Sequence, residues 1–266
     1  KVNDFFSFEA LQKKKINKKY KIITALSVFY DLKKPHKFIR DIKKILHKDG
    51  VFILEHADLL SIIKQNLFDT ICHEHLEYYS SKIIISIMKK HNLRVFDLKL
   101  NNINGGSIRY FISHEFSKFK SKNIIINNIL KEEKKFRLEN PSTFKIFFNK
   151  INRQKIKLSL VIKKLKKNNK VIHGYGASTK GNVLLQYFNI SKNQIDFIAD
   201  RNPKKFGFFT PGTKIKIISE NKSRYLNPNY YLVLPWHFKK EIIKREKKII
   251  KKGTKFIFPL PNLKIV

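Results

Sequence analysis

The chain has 266 residues, of which 42% are hydrophobic, and 57 Lys and Arg against 20 Asp and Glu give a formal net charge of +37. This apolar content suffices for the cores of one large or two ordinary domains, so the composition excludes a disordered chain. No uncharged apolar run approaches the roughly 18 residues of a membrane span, and the first ten residues lack a secretory-signal pattern, so we expect a cytoplasmic protein that does not act at a membrane.

The cysteine count and the distribution of charge limit the functional classes further. Cys72 is the single cysteine, which leaves neither a disulfide framework nor a CxxC pair for structural zinc. Lysines are spread along the whole chain, which favours a solvated basic surface over a nucleic-acid footprint. An RNA-binding module carried by that surface stays open as an alternative.

The first 115 residues alternate between strand and helix patterns in the manner of an α/β domain. The predicted elements are a strand over 20–28, a helix over 36–46 stopped by 48–50, a strand over 51–55, a helix over 81–91, and a hairpin of strands over 94–100 and 107–113. The chain begins with Lys, its opening already has the pattern of a domain interior, and no Gly-rich turn precedes the first strand. We therefore expect a fragment.

The composition changes after residue 115. Residues 116–168 are rich in Lys, Asn and Ile with helical spacing, which predicts a helical connector. Residues 169–266 then predict a second, Rossmann-like α/β unit. Its predicted elements are strands over 171–173, 196–199, 230–234 and 255–259, a Gly-rich turn over 174–181, and helices over 182–188 and 237–252.

The densest group of functional side chains lies in residues 72–79, soon after the strand over 51–55. Open α/β sheets place their sites beyond the carboxyl ends of strands, and His is the usual general base near neutral pH. His73 and His75 could also be metal ligands, but no third ligand has a diagnostic spacing, so no metal site is predicted. Hydrogen-bonded structural histidines are the remaining alternative.

Two glycine-rich turns are further candidates for ligand binding. In the turn over 104–109, glycine permits close backbone approach and Arg109 could pair with an anion, although an ordinary hairpin turn explains the pattern equally well. The turn over 174–181 follows a strand and opens a helix, an arrangement in which helix N-terminal amides hold phosphate. The Walker pattern does not fit, because Lys180 follows Thr179 and precedes Gly181.

Asp200 ends the following strand and could bind a ribose hydroxyl, which leaves an NAD-dependent enzyme as an alternative. Asn202 and Lys204 follow it, and Trp236 and His237 follow a neighbouring predicted strand, so all could face the same crevice. Trp236 would either stack on a base or sugar or serve as a half-buried anchor.

These motifs together resemble a known family, the S-adenosylmethionine-dependent C-methyltransferases that alkylate C-3 of dTDP-4-keto-deoxysugars. The matching stretches occur in the family's order over the whole chain: FDTICHEHLEYYS, NGGSIRY, GYGASTKGN, ADRNPKKFG, TPGTKI and LVLPWHF. The resemblance implies that residues 1–115 are part of a class I methyltransferase domain, and that residues 169–266 help to hold the nucleotide-sugar. The family's N-terminal zinc domain and Gly-rich donor motif have no counterpart in this sequence.

The resemblance also implies roles for individual residues. His75 resembles the family's catalytic base, Glu74 the neighbouring carboxylate and Tyr78 the tyrosine three residues further on, whereas Cys72 and Asn104 replace a tyrosine and a histidine of the family. The implied methyl-donor residues are Asp4, Phe5, Phe6, Ala25, Ser27 and Val28. The implied substrate-binding residues are His73, Asn104, Gly106, Ser107, Arg109, Gly176, Ala177, Ser178, Thr179, Lys180, Asp200, Asn202, Lys204, Trp236 and His237.

Overall fold

The computed structural model describes residues 1–266, which form two compact units. The first unit contains residues 1–64 and 73–144, and the second contains residues 65–72 and 145–266. Each unit combines helices with one β-sheet, so the predicted α/β class is confirmed. None of the helices has both the length and the apolar content that crossing a bilayer requires.

The first unit is built around a four-stranded sheet. Its elements are α1 (Phe8–Lys13), β1 (Tyr20–Leu26), α2 (Pro35–Ile45), β2 (Leu46–Ala57), α3 (Leu59–Gln65), α4 (Ser81–Lys90), β3 (Leu93–Asn101), β4 (Ser107–His114) and α5 (Asn123–Lys135). The strand order is β1-β2-β4-β3, with β1 and β2 parallel and the other pairs antiparallel. The parallel β1–α2–β2 connection brings the carboxyl ends of β1 and β2 to the same edge.

Helix α2 shows why the sequence folds in this way. Pro35 occupies its first turn, where a missing N–H costs no hydrogen bond. Ile39, Ile42 and Ile45 recur at helical spacing and are buried, the first two in the core formed with β2 and β4. The apolar stripe therefore attaches the helix to the sheet.

The predicted stop of this helix at residues 48–50 is wrong. Helix α2 ends at Ile45, and β2 starts at Leu46, which pairs with Tyr20 of β1. The register then shifts so that Val51 pairs with Ile22. Residues 48–50 lie in this irregular part of β2, because Leu46 is buried in the core and starts the strand early.

The second unit is built around a six-stranded sheet. Its elements are α6 (Pro141–Lys167, from residue 145 onward), β5 (Ile172–Tyr175), α7 (Thr179–Tyr187), β6 (Phe197–Asp200), β7 (Lys216–Ser219), α8 (Glu220–Tyr225), β8 (Tyr230–Val233), α9 (Lys239–Arg245), α10 (Lys247–Lys251), β9 (Lys255–Phe258) and β10 (Lys264–Ile265). The order is β10-β9-β8-β5-β6-β7, and only β9 and β10 are antiparallel. The order reverses between β5 and β8, where open α/β sheets form their binding crevices.

Two predictions for the second unit need correction, and three short elements were missed. The Gly-rich turn is shorter than predicted, because Gly174 and Tyr175 pair with β6 and β8 within β5 and α7 already begins at Thr179. The predicted helix over 237–252 is divided at Glu246, which ends α9 and precedes α10. The short elements β7, α8 and β10 were not predicted.

Residues 116–168 are mainly helical, as expected for the connector, but they do not form a separate body. Helix α5 belongs to the first unit, where it packs against β3 and α4. Residues 145–167 of α6 belong to the second unit. The proposed division into domains 1–115, 116–168 and 169–266 stays a prediction, and the compact units have different limits.

Candidate functional site

The HEH segment of the first unit, residues 73–79, lies on the turn that follows β1. The backbone N–H groups of Leu76 and Glu77 both donate to the carbonyl oxygen of Tyr30, at 2.9 and 3.1 Å. A carbonyl oxygen has two lone pairs, so it can accept both bonds. Tyr30 belongs to the 3₁₀ turn Phe29–Asp31, which comes shortly after β1 ends. The segment is thus fixed near the carboxyl edge of the sheet, where the sequence places it.

His75 is the part-buried member of this segment, whereas His73 and Glu74 are exposed. The imidazole centroid lies 4.2 Å from that of the Tyr30 ring and 6.4 Å from that of the Tyr78 ring. Its Nδ1 is buried and has no hydrogen-bond partner. Because Nδ1 is shielded, a ligand can meet the ring only at Nε2. The predicted residues His75 and Tyr78 are therefore neighbours in the structure.

Asp31 is a charged neighbour that the sequence interpretation missed. Burial raises the pKa of the Asp31 carboxyl, the charge that His75 can carry lowers it, and the Glu74 carboxylate raises it. These interactions show that Asp31, Glu74 and His75 share one electrostatic environment. The available signal was an acidic residue soon after the end of a predicted strand.

The predicted methyl-donor residues fall into two groups within the first unit. Phe5 is 94% exposed, and the Phe6 ring meets Phe38 edge-on at 5.2 Å. Ala25 is buried in β1, while Ser27 and Val28 follow the strand and are exposed. Ser27 has a φ of 56°, and its N–H donates to the carbonyl oxygen of Glu55 at 2.8 Å.

The glycine turn over 104–109 is a tight hairpin connection with local bonds. Gly106 has a φ of 151° and its carbonyl accepts the N–H of Asp58, and the buried hydroxyl of Ser107 donates to the carbonyl of Ile103 at 3.0 Å. Arg109 pairs with Glu55 at 2.6 Å, so the anion it contacts belongs to the protein. Asn104 is exposed and adopts a φ of 54°. The substrate role of the turn stays a prediction.

The second unit has a cavity of about 440 Å³ at the switch point between β5 and β8. Its walls include Gly176, Ala177 and Ser178, which form the turn between β5 and α7. Gly176 has a φ of 84°, and the hydroxyl of Ser178 caps α7 by accepting the N–H of Gly181 at 3.1 Å. The remaining walls include the side chains of Arg201, Lys205, Phe238 and Arg245.

Asp200 also lines this cavity, but its carboxylate is already engaged. One oxygen accepts the N–H of Ala177 at 2.7 Å, and the other accepts the N–H of Asn202 at 2.8 Å. Lys205 donates to the carbonyl of Ala177 at 2.7 Å and lies 3.5 Å from Asp200. Asp200 thus braces the turn, and its proposed contact with a ribose hydroxyl stays a prediction.

The other predicted residues of this unit lie outside the cavity walls: Thr179, Lys180, Asn202, Lys204, Trp236 and His237. Trp236 is only 6% exposed, and its indole N–H donates to the fully buried Asp69 at 2.7 Å. Trp236 is therefore a buried anchor rather than an exposed stacking surface.

Asp69 and Lys180 form a buried electrostatic pair beside this tryptophan. Burial raises the pKa of Asp69, although the Lys180 charge opposes it, and burial lowers the pKa of Lys180, although Asp69 opposes it. Burial also lowers the pKa of His237 to about 4. Lys180 was predicted to lie near phosphates, whereas its charge interacts with Asp69. Nothing in the sequence signalled the burial of Asp69.

A second cavity, of about 780 Å³, lies between the start of α4 and the end of α5 in the first unit. Its walls contain none of the predicted site residues. The two N–H groups that open α4 are already occupied, because Glu133 accepts the backbone N–H groups of Ser81 and Lys82 at 2.5 and 3.1 Å. The structure brings together no group of three or more metal-ligating side chains.

The chain overlaps solved methyltransferase structures over part of its length. The mitomycin 7-O-methyltransferase MmcR shares 13% identity at a TM-score of 0.30, covering 40% of this chain and 37% of that one. An O-methyltransferase from a trans-AT PKS multienzyme of Brevibacillus brevis, in complex with S-adenosyl-L-homocysteine, shares 7% identity at a TM-score of 0.29, covering 53% and 64%. Overlaps of this size carry no argument about fold or function.

Sequence comparisons are more informative. The C-methyltransferase NovU of Streptomyces niveus is 30% identical over 231 residues, which are 87% of this chain and 55% of that protein. The chain thus spans about half the length of this curated relative. A methyltransferase domain profile matches residues 1–98, and the profile of the C-methyltransferase C-terminal domain matches residues 102–261. Because the second match alone covers more than half of the chain, the chain belongs to the C-methyltransferase family defined by that domain.

Proposed function

We propose that the protein containing this chain transfers a methyl group from S-adenosylmethionine to the carbon next to the keto group of a nucleotide-linked deoxysugar. The observation that carries the proposal is the position of His75, held near the carboxyl edge of β1 beside Tyr30 and Tyr78. The family match supports C-methylation as the reaction class.

In this proposal His75 is the general base. The ketone acidifies the neighbouring C–H because the electron pair left behind is delocalised onto oxygen as an enolate. Nε2 of His75 accepts the proton, since Nδ1 is buried. The exposed carboxylate of Glu74 stabilises the resulting imidazolium, and Tyr78 lies beside the ring to align the sugar.

His73 and the turn residues Asn104, Gly106, Ser107 and Arg109 are proposed to bind the sugar in the first unit. Arg109 does so as a member of an ion pair with Glu55, so it acts as a fixed hydrogen-bond donor rather than as a free cation. No metal ion enters this mechanism.

The residues present fit part of a site for the methyl donor. The exposed ring of Phe5 offers an apolar face for a base, and Ser27 and Val28 are accessible just beyond β1. Asp4, Phe6 and Ala25 would complete this side of the pocket. When bound, S-adenosylmethionine supplies a methyl group on a sulfonium centre, which takes the electron pair of the enolate carbon and leaves a neutral thioether.

The cavity of the second unit is proposed separately as a site for a nucleoside diphosphate such as dTDP. Gly176, Ala177 and Ser178 line the cavity at the start of α7, where the helix dipole favours an anion. Thr179, Lys180, Asn202, Lys204 and His237 are not among the residues that line this cavity. We expect dTDP to raise the melting temperature of this chain and Gly176→Val to weaken that effect; an unaltered response in the variant would assign the turn a purely structural role.

The reaction is tested by replacing the proposed base. In the protein containing this chain, His75→Gln should lower methyl transfer by about 10²–10⁴-fold, because glutamine has similar reach but no basic nitrogen. His36→Gln is the matched control, since His36 is exposed on α2 and contacts His91 rather than the HEH segment. Methyl transfer by His75→Gln at the rate of the parent would remove His75 from the mechanism.

Each of the two alternatives has its own test. An NAD-dependent enzyme would use Asp200 on the ribose, where each oxygen of that carboxylate already accepts one backbone N–H. A response of the melting temperature to NAD but not to dTDP would favour this alternative. An RNA-binding role rests only on net charge, and a salt-dependent gel shift with unstructured RNA would favour it.

A further inference from the structure

The turn Phe29–Asp31 holds the HEH segment through backbone hydrogen bonds that no side-chain substitution removes. The carbonyl of Tyr30 accepts two consecutive N–H groups, those of the residues directly after His75. Phe29 is fully buried and its ring centroid lies 5.1 Å from that of Tyr79, so the middle and the end of the segment are attached to the same turn. The main chain at His75 is thus fixed before any substrate arrives.

The side chain of Tyr30 adds a second constraint. Its ring lies 4.2 Å from the imidazole centroid at an interplanar angle of 50°. This is the closest ring contact recorded in the structure, and aromatic rings in such contact restrict each other's rotation. The Tyr30 ring is therefore placed to limit rotation of the imidazole and with it the direction of Nε2.

Asp31 places a negatively charged carboxylate near His75. The titratable groups that the structure places around His75 are Asp31 and Glu74, which are acidic, and the phenols of Tyr30 and Tyr78. The charge that His75 can carry lowers the pKa of the Asp31 carboxyl, so the two groups attract each other. Asp31 comes from the turn and Glu74 from the segment itself, so the two charges are held independently.

We propose that Tyr30 and Asp31 are positioning residues for His75: the Tyr30 ring orients the imidazole, and the Asp31 carboxylate stabilises the imidazolium that forms when His75 takes a proton. The role assumes the proposed function, in which His75 is the base. The proton moves from the substrate carbon to Nε2 and later to solvent, and Tyr30 and Asp31 gain or lose none.

The proposed electrostatic interaction between Asp31 and His75 can be tested without any substrate. In this chain, the Asp31 carboxyl is titrated by NMR, with its signal assigned by its absence in Asp31→Asn. His75→Gln should raise the pKa of that carboxyl, because the charge of His75 that lowers it is lost. His36→Gln, which replaces an exposed histidine on α2, is the matched control and should leave the pKa of Asp31 unchanged. An identical titration of Asp31 in the parent and in His75→Gln overturns the role of Asp31.

The proposed orientation of the imidazole by Tyr30 is tested with two variants. Tyr30→Ala keeps the backbone carbonyl but removes the ring, whereas Tyr30→Phe keeps the carbonyl and the ring. Tyr30→Ala should shift the His75 ring protons, because the neighbouring ring current is lost, and should lower kcat about tenfold with little change in KM. Tyr30→Phe should restore both readouts. Melting temperatures near that of the parent would separate orientation from unfolding.

Different results would overturn the positioning roles of Tyr30 and Asp31 and the role of His75 as the base. If Tyr30→Ala and Asp31→Asn match the parent while His75→Gln is inactive, the inference is wrong and His75 remains the base. If His75→Gln keeps full activity, the proposed function is wrong, and the NMR titration still decides whether Asp31 acts on His75.

Discussion

The turn at Gly176 allows a sharp test of the second unit, because a matched glycine lies in the same unit. Gly176 has a φ of 84°, and a Cβ there would lie 2.7 Å from Cγ and Cδ of Pro235. Gly207 has a φ of 86° and no heavy atom within 4 Å of the corresponding position. The two glycines thus share the backbone strain and differ in the steric contact.

The expected loss of stability has two parts, the backbone strain and the steric contact with Pro235. An alanine in the left-handed region costs about 1–2 kcal/mol, so Gly207→Ala should destabilise the protein by that amount. Gly176→Ala has the same strain and an additional overpacking cost of about 1–3 kcal/mol, because the rigid proline ring cannot move aside easily. The total loss of stability for Gly176→Ala is about 2–5 kcal/mol. Each kcal/mol should lower the melting temperature by roughly 3 °C.

Urea unfolding followed by tryptophan fluorescence is a suitable assay. Trp236 is the only tryptophan of the chain, it is buried in the second unit, and it follows Pro235 directly. Unchanged slopes with lower midpoints would mark a loss of stability alone. Equal midpoints for Gly176→Ala and Gly207→Ala would refute the steric argument and show that the turn next to Pro235 can relax.

Two further predictions concern buried charge in the second unit. Burial lowers the pKa of His173 to about 4, so the unfolded chain binds a proton at this histidine more readily than the folded chain does. The free energy of unfolding should therefore fall as the pH decreases from about 6.5 towards 4. His173→Phe should flatten this part of a profile of melting temperature against pH. Burial raises the pKa of Glu246, but hydrogen bonds from Arg224 and Tyr175 outweigh it and the net pKa is lowered. The contribution of Glu246 to stability is therefore present at neutral pH and lost in acid. Glu246→Gln should lower the free energy of unfolding by about 2–4 kcal/mol near pH 7, measured by urea unfolding. Glu241→Gln, which replaces an exposed carboxylate, is the control and should change it little. Equal effects of the two glutamine variants would contradict the buried network, and an unchanged pH profile in His173→Phe would contradict the first prediction.

Local patterns predicted most of the long elements. Helix α2 and strands β3 and β4 follow apolar periodicities that extend over eight residues or more. Strand β7 was missed because its four residues include a lysine and a serine around only two isoleucines, and it is a strand because β6 pairs with it. The division of the last long helix depends on the burial of Glu246, which is set by partners elsewhere in the chain.

The candidate site was predictable as a list of residues but not as a set of contacts. The HEH segment and both glycine turns are visible in the sequence, whereas their partners depend on tertiary register. Arg109 meets Glu55 because β2 and β4 pair them directly. Trp236 is buried because it meets Asp69, 167 positions earlier in the chain. No local pattern carries information on such distant contacts.

The central claim, that His75 removes a proton from the substrate carbon, is tested most directly by hydrogen exchange without methyl transfer. This chain would be incubated in D2O with a nucleotide-linked 4-keto-deoxysugar and no methyl donor, and deuterium at the carbon next to the ketone would be followed by NMR. We predict exchange catalysed by the parent and by His36→Gln, and a loss of about 10²–10⁴-fold in His75→Gln. Undiminished exchange in His75→Gln would contradict the account and leave the HEH segment with a structural role.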